Sequence, residues 1–118
     1  MRNPLQFRPA GRVLFPLLFA ALSLLAGCQK VRGLFARLDP HSVTIGWTAS
    51  SSPVAGYNVY RETQFSGPIK LTPKMVTGTE YIDKNVESGR TYSYFVTSVD
   101  SRGLESKPSE KISATVPK

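Results

Sequence analysis

Cys28 and His41 are the single cysteine and the single histidine of the 118-residue chain, and both side chains are capable of chemistry. A single cysteine forms no internal disulfide and no cysteine metal cluster, so Cys28 is a buried thiol, a reactive thiol or a covalent attachment point. It follows the apolar run 13–26, "VLFPLLFAALSLLA", after a single glycine. His41 lies in the turn-like sequence DPHS. We expect this histidine to be a loop residue rather than a catalytic base or a metal ligand.

The hydroxyl and carboxylate side chains do not form a recognisable catalytic pattern. Catalysis by a nucleophile requires that nucleophile, a base and a group that orients them. The sequence contains no nucleophile elbow, no glycine-rich phosphate loop and no calcium-loop pattern. We therefore expect no catalytic residue, no metal site and no cofactor.

The positive charge of the chain is concentrated at its start. The net charge is +7; Arg2, Arg8 and Arg12 lie in the first twelve residues, and all eight acidic residues lie beyond residue 38. From Cys28 onward, twelve basic residues accompany eight acidic ones, a net charge of +4 without any run of Lys or Arg. Such a dispersed excess is typical of a solvated surface, so we expect no nucleic acid partner.

The first part of the chain has the organisation of an export signal. Residues 1–12 are basic, and residues 13–26 are apolar apart from Ser23. This apolar run would extend only about 21 Å as a helix, less than the hydrocarbon core of about 30 Å. A basic segment, a short apolar segment and small residues after it favour a secretion signal over a spanning helix.

The end of this signal is more specific. Leu25-Ala26-Gly27-Cys28 resembles the bacterial lipoprotein box, in which an apolar residue and two small residues precede a cysteine. The resemblance implies that a diacylglyceryl group is attached to the Cys28 sulfur, that the chain is cut before this residue, and that the new amino terminus is usually acylated too. A buried structural thiol is the alternative, but nothing in residues 1–27 resembles a soluble fold.

The same resemblance implies a location in the bacterial cell envelope. Residues 1–27 would be the signal peptide, and the lipid on Cys28 would attach the mature chain to a membrane. Two or more long acyl chains anchor a protein far more firmly than one. Gln29 stands where Asp is the usual inner-membrane retention signal, which favours the outer membrane over the inner one. Residues 28–32 are predicted to form a short tether.

From residue 33 onward the sequence is typical of an all-β domain. Short β-prone runs are separated by Gly, Pro, Ser, Asn and Asp, without a helical apolar period. The sequence SGP (66–68) is predicted to be a turn. The predicted strands are 34–38, 42–48, 57–62, 69–71, 79–83, 91–99 and 110–116. Alternating apolar residues in these runs indicate a seven-stranded antiparallel sandwich of two sheets.

Two long stretches of these runs carry a family resemblance. SVTIGWTASSSPVAGYNVYR (42–61) and VESGRTYSYFVTSVDSRGLES (86–106) are similar to the second, third and sixth strands of bacterial fibronectin type III domains. The resemblance covers residues 33–117 and implies an immunoglobulin-like sandwich. It also implies that Trp47 is the core tryptophan of the domain. Because this fold serves many roles, the resemblance by itself does not specify a function.

The family resemblance also implies a tyrosine corner. In the family, an apolar residue, a glycine and a tyrosine recur at the spacing of Val86, Gly89 and Tyr92. Ser88 replaces the proline that often precedes the glycine. The Tyr92 hydroxyl is expected to bond to the backbone a few residues upstream and so to fix the turn before its strand.

Strand parity indicates a candidate binding face. If Tyr92 and Tyr94 point inward, Phe95 points outward, and Tyr60 points outward on a strand that neighbours it in the family. Two aromatic rings on a solvent-facing sheet surface can stack on sugar rings or anchor a protein partner. The alternative is ordinary cross-strand packing, worth about 0.2–1 kcal/mol per pair.

These features together predict a non-catalytic, lipid-anchored envelope protein. Its fibronectin type III domain would act as an interaction, adhesion or scaffold module, with an unidentified envelope protein as partner. The alternative is a polysaccharide-binding accessory module that uses Tyr60 and Phe95 to contact a glycan.

Overall fold

The computed structural model describes residues 29–118. The predicted signal peptide, its cleavage motif Leu25-Ala26-Gly27 and the predicted lipid attachment at Cys28 lie outside the described residues. No helix within residues 29–118 is long and apolar enough to cross a bilayer. The described elements are β1 (Arg32–Asp39), β2 (Ser42–Thr48), β3 (Gly56–Thr63), β4 (Ser66–Lys70), β5 (Glu80–Asp83), β6 (Thr91–Val99) and β7 (Ile112–Thr115).

The seven strands form two antiparallel sheets. One sheet has the order β1-β2-β5, and the other has the order β4-β3-β6-β7. This architecture confirms the predicted all-β sandwich. The strands that form the core, among them β2, β3 and β6, present alternate apolar side chains to the space between the sheets, whereas every residue of the edge strand β4 is exposed.

The prediction that SGP (66–68) is a turn is wrong. These residues begin β4, and the turn lies one step earlier, between the paired residues Thr63 and Ser66. Pro68 is accommodated because β4 is an edge strand, where a missing backbone N–H need not interrupt a ladder on both sides.

The core lies between the sheets and contains apolar residues that alternate along the predicted strands. Trp47 packs edge-on against Tyr57, with ring centroids 5.4 Å apart. The Trp47 indole N–H is buried and has no hydrogen-bond acceptor among residues 29–118, so Trp47 stabilises the domain by packing. The buried cluster consists of Val31, Val43, Ile45, Trp47, Tyr57, Val59, Val86, Tyr92, Tyr94, Val96, Ala114 and Val116.

A buried ion pair joins the two sheets. Arg61 on β3 donates from Nη1 to both carboxylate oxygens of Asp83 on β5, at 3.2 and 2.9 Å. The Tyr94 hydroxyl donates to the same carboxylate at 2.7 Å. The side chains of Arg61 and Asp83 are only 13% and 3% exposed. Burial first, and then this bond to Asp83, raise the pKa of Tyr94 above its usual range.

The turn before β6 has the geometry of a tyrosine corner. The Tyr92 hydroxyl accepts a hydrogen bond from the backbone N–H of Glu87 at 2.9 Å. Gly89 has a φ of 81°, a left-handed conformation that a residue without Cβ adopts without strain. Val86 is buried in the core beside this turn. Ser88 donates to the Pro40 carbonyl at 2.9 Å, so the residue in the usual proline position ties the corner to the β1–β2 turn.

The described part of the predicted tether is packed on the domain. Val31 is 4% exposed and belongs to the core. The Ser98 hydroxyl donates to the Gln29 carbonyl at 3.0 Å, and the Ser51 hydroxyl donates to Gln29 Oε1 at 3.2 Å. Residues 29–31 therefore lie at the end of the sandwich that carries the β2–β3 and β6–β7 loops. We call this end the N-terminal pole.

Candidate functional site

The structure brings the two candidate aromatic residues together. Tyr60 on β3 and Phe95 on β6 are direct cross-strand partners, and their rings stack 4.9 Å apart at an angle of 11°. Both lie on the outer face of the four-stranded sheet, opposite the core. Phe95, however, is only 8% exposed. The expectation that both rings are open to solvent is therefore corrected for Phe95.

Neighbouring side chains explain why Phe95 is covered. The Tyr60 ring lies over one side of it. On the other side, β7 pairs Ile112 with Tyr94, so Lys111 comes next to Phe95. Lys111 forms an ion pair with Glu62 on β3, and this contact crosses β6. The aromatic pair thus has the geometry of cross-strand packing that stabilises the sheet.

A carboxylate from the β6–β7 loop occupies the polar edge of this pair. Glu105 Oε2 accepts hydrogen bonds from the Tyr60 hydroxyl at 2.6 Å, the Thr97 hydroxyl at 2.6 Å and the Asn58 amide at 3.4 Å. The Thr97 bond, followed by the Tyr60 bond, lowers the pKa of Glu105. Burial and the contact with Glu105 raise the pKa of Tyr60 to about 12. The Tyr60 hydroxyl is therefore already engaged inside the protein.

Sequence reasoning missed Glu105 because it lies in a loop, 45 residues from Tyr60. A signal does exist in the sequence. Asn58, Tyr60 and Thr97 are polar groups predicted on the outward face of neighbouring strands, and such a cluster favours a charged partner from a nearby loop.

The described residues bring no catalytic or metal-binding group into this cluster. His41 is exposed in the turn between β1 and β2. Within residues 29–118, no group of three or more His, Cys, Asp or Glu side chains is placed to hold a metal ion. The groups described at the outer face form hydrogen bonds and a ring stack.

A second surface, which the sequence analysis did not identify, lies at the other end of the same sheet face. Phe65, in the β3–β4 turn, is 83% exposed, the highest exposure among the large hydrophobic residues described. It borders a surface groove of about 820 Å³. We call this the Phe65 groove, and its lining residues are Glu62, Thr63, Gln64, Phe65, Gly89, Arg90, Thr91 and Ser93.

Comparison with protein families agrees with this geometry. The family model of the fibronectin type III domain matches residues 30–115. The matched range begins at Lys30, close to the first residues that pack on the sandwich.

Curated proteins with similar sequences are much larger. A poly(3-hydroxybutyrate) depolymerase from Ralstonia pickettii is 39% identical over 74 residues, which is 63% of this chain and 14% of the depolymerase. An amylopullulanase from Thermoanaerobacterium saccharolyticum is 37% identical over 67 residues, 57% of this chain and 5% of that protein. An amylopullulanase from Thermoanaerobacter thermohydrosulfuricus is 34% identical over 86 residues, 73% of this chain and 6% of that protein. The chain spans a small part of each of these relatives.

Solved structures show the same fold. A Fn3-like protein from Clostridium thermocellum is 29% identical, with a TM-score of 0.69 that covers 79% of this chain and 97% of that one. A β-1,2-glucanase from Parabacteroides distasonis is 24% identical, with a TM-score of 0.62 that covers 79% of this chain and 14% of that one. The second likeness concerns the fold alone.

Proposed function

We propose that this chain, which belongs to the fibronectin type III family whose model matches residues 30–115, is a non-catalytic protein of the bacterial cell envelope. In this proposal a lipid on Cys28 anchors the chain to a membrane, with the outer membrane favoured. The sandwich presents an interaction surface for adhesion, scaffolding or assembly with another envelope component.

One observation carries the non-catalytic part of this proposal. The polar side chains that the fold brings together inside the domain, Arg61 with Asp83 and Glu105 with Tyr60, are bonded to one another. Such closed clusters hold elements in place, so these charged and hydroxyl groups are engaged with one another rather than with a substrate. The relatives support the same view, because the matching region is 14% or less of each larger protein.

The anchor is supported by the sequence motif at Cys28, and the contacts of Gln29 suggest how an anchored domain would be oriented. Leu25-Ala26-Gly27-Cys28 has the lipoprotein pattern. Gln29 is held at the N-terminal pole by Ser98 and Ser51. A lipid one residue earlier would therefore place this pole near the membrane and direct the opposite pole away from it.

The alternative function is a polysaccharide-binding accessory module. The similarity to amylopullulanases favours it, because the names of these relatives describe proteins that act on polysaccharides. The outer sheet face that carries Tyr60 and Phe95 gives this alternative little support, since Phe95 is covered and the Tyr60 hydroxyl donates to Glu105.

Mass spectrometry of the chain expressed in a bacterial host tests the anchor. We expect a mature amino terminus at Cys28 whose mass includes a diacylglyceryl group, and we expect the protein in the membrane fraction. The Cys28→Ser variant is the control and should remain uncut and unlipidated. An intact bond between Gly27 and Cys28, or an unmodified thiol, would contradict the proposal.

Crosslinking in the intact envelope tests the interaction role of the anchored chain. A reproducible crosslinked partner supports a protein-interaction module. The absence of any partner, together with failure of all glycans to bind, would contradict both functions.

A further inference from the structure

We propose that the Phe65 groove is a binding site for a neutral oligosaccharide built of hexopyranose units. The inference deepens the proposed role as a binding module and does not depend on the lipid anchor.

The position of Phe65 is the first observation. Burying a Phe side chain stabilises a fold, and this residue is instead 83% exposed at a turn. A single exposed apolar residue is ordinary. Phe65 differs because it stands at the rim of a groove of about 820 Å³, a size typical of small-ligand sites.

The turn that carries Phe65 is held by its own hydrogen bonds. The Phe65 backbone N–H donates to the Thr63 hydroxyl oxygen at 3.2 Å. The hydroxyls of Thr63 and Ser66 are 3.1 Å apart and share a further hydrogen bond. These bonds order the backbone of the two-residue turn that carries the ring.

The charges at the groove are already neutralised within the protein. Glu62 pairs with Lys111, and Arg90 Nε lies 2.7 Å from the Glu87 carboxylate. The lining residues include one acid, Glu62, and one base, Arg90, so the groove has no net charge that would attract an ionic ligand. This balance favours an uncharged partner.

Polar groups at the groove remain available for such a ligand. Among residues 29–118, the Gln64 amide and the Ser93 hydroxyl form no side-chain hydrogen bond, and both line the groove. An amide and a hydroxyl donate and accept, as the hydroxyl rim of a sugar requires. The apolar C–H face of the same sugar ring matches the flat face of Phe65. Stacking and bidirectional hydrogen bonding together fit a hexopyranose.

The groove is accessible when the chain is held at its N-terminal end. Ser93 lies near the start of β6, whereas Ser98, which bonds to Gln29, lies near the end of that strand. Five residues of strand separate them by about 17 Å. An attachment at residue 28 therefore leaves the Phe65 groove unobstructed.

A titration monitored by backbone amide chemical shifts tests the proposal. The isotope-labelled full chain is held in a sugar-free zwitterionic detergent and titrated with maltohexaose or cellohexaose as neutral probes. A heparin-derived hexasaccharide is the acidic probe. We expect at least one neutral probe to shift the amides of Gln64, Phe65 and Ser93, and we expect the acidic probe to bind more weakly.

Two variants identify the role of the ring. Phe65→Ala should weaken binding by about tenfold, and Phe65→Trp should retain it, because stacking needs an aromatic face. Ile69→Ala is the matched control, since Ile69 is an exposed apolar residue on β4 of the same hairpin. Its affinity should be unchanged.

Three results would overturn the glycan site: no shift with either neutral probe, preference for the acidic probe, or equal weakening by Ile69→Ala. A crosslinked protein partner that Phe65→Ala loses would make the groove a protein interface. That result would overturn the glycan inference while supporting the proposed interaction module.

Discussion

Single residues in this domain stabilise it through contacts that join distant parts of the chain. Tyr92 is buried in the core and accepts a hydrogen bond from Glu87 through its hydroxyl. Ser88 adds a bond from the same corner to Pro40. These contacts connect the turn before β6 to the opposite sheet, so the corner positions Arg90 and Thr91 at the Phe65 groove.

Tyr92→Phe should lower the free energy of unfolding by about 1 kcal/mol, because the Glu87 N–H then loses its acceptor. Urea denaturation followed by fluorescence measures the change. Tyr81→Phe is the matched control. Its hydroxyl makes a longer bond of 3.4 Å to the Leu71 carbonyl, so its loss should be smaller. An unchanged stability in Tyr92→Phe would contradict the stabilising role of the corner bond.

At the scale of elements, two carboxylates hold the β6–β7 loop in place. Glu105 joins the loop to the outer sheet face, and Asp100 forms hydrogen bonds within the loop. Glu105 accepts hydrogen bonds from Asn58 and Tyr60 on β3 and from Thr97 on β6. Asp100, at the start of the loop, accepts bonds from the backbone N–H groups of Arg102 and Leu104 at 2.8 and 3.0 Å. The bond from Leu104 is the main cause of the lowered pKa of Asp100.

These lowered pKa values predict a pH dependence of stability. A carboxylate whose pKa is lower in the folded protein stabilises it above the unfolded pKa, and this contribution is lost as the pH falls through the folded pKa. The unfolding free energy should therefore decrease as the pH drops below about 4.5, the ordinary pKa of Glu105. Urea denaturation at a series of pH values measures this.

Glu105→Gln is the variant that identifies the loop contribution. The amide retains the shape of the side chain but does not titrate, so the acid-induced loss of stability should become shallower. Asp100 remains in the variant and should preserve part of the slope. An identical pH profile in the variant and the original chain would show that Glu105 does not contribute.

For the molecule as a whole, the contact between the two sheets is both apolar and ionic. Trp47 and its neighbours form the apolar layer, while Arg61 and Asp83 join β3 to β5 across it. The Arg61 guanidinium also lies 5.3 Å from the centre of the Tyr92 ring. The relative position of the sheets therefore depends on charge pairing as well as on side-chain volume.

Asp83→Asn should destabilise the domain by about 3–5 kcal/mol, because it leaves the buried Arg61 charge without its partner. The double variant Arg61→Met, Asp83→Leu removes both charges and should recover part of this loss, because the buried Tyr94 hydroxyl still lacks its acceptor. Glu87→Gln, which breaks the exposed pair with Arg90, is the control and should have little effect. Equal effects of Asp83→Asn and Glu87→Gln in urea denaturation would contradict a structural role of the buried pair.

Local patterns were sufficient to predict much of this protein. Alternation placed Val43, Ile45 and Trp47 on one face, because it depends only on neighbouring residues along one strand. The resemblance to the fibronectin type III family implied the corner tyrosine. The sequence also carries the lipoprotein pattern at Cys28, which remains a prediction. The number of strands and the sandwich architecture follow from the same short-range signals.

Only the tertiary structure decided what the outer surfaces can do. Parity put Tyr60 and Phe95 on one face, but their accessibility depends on Glu105 and Lys111, which reach them from a distant loop and a neighbouring strand. The Phe65 groove likewise joins a turn to residues near the start of β6. Exposure depends on all the groups that surround a side chain, and folding brings these together from separate parts of the chain, so no local pattern reports it.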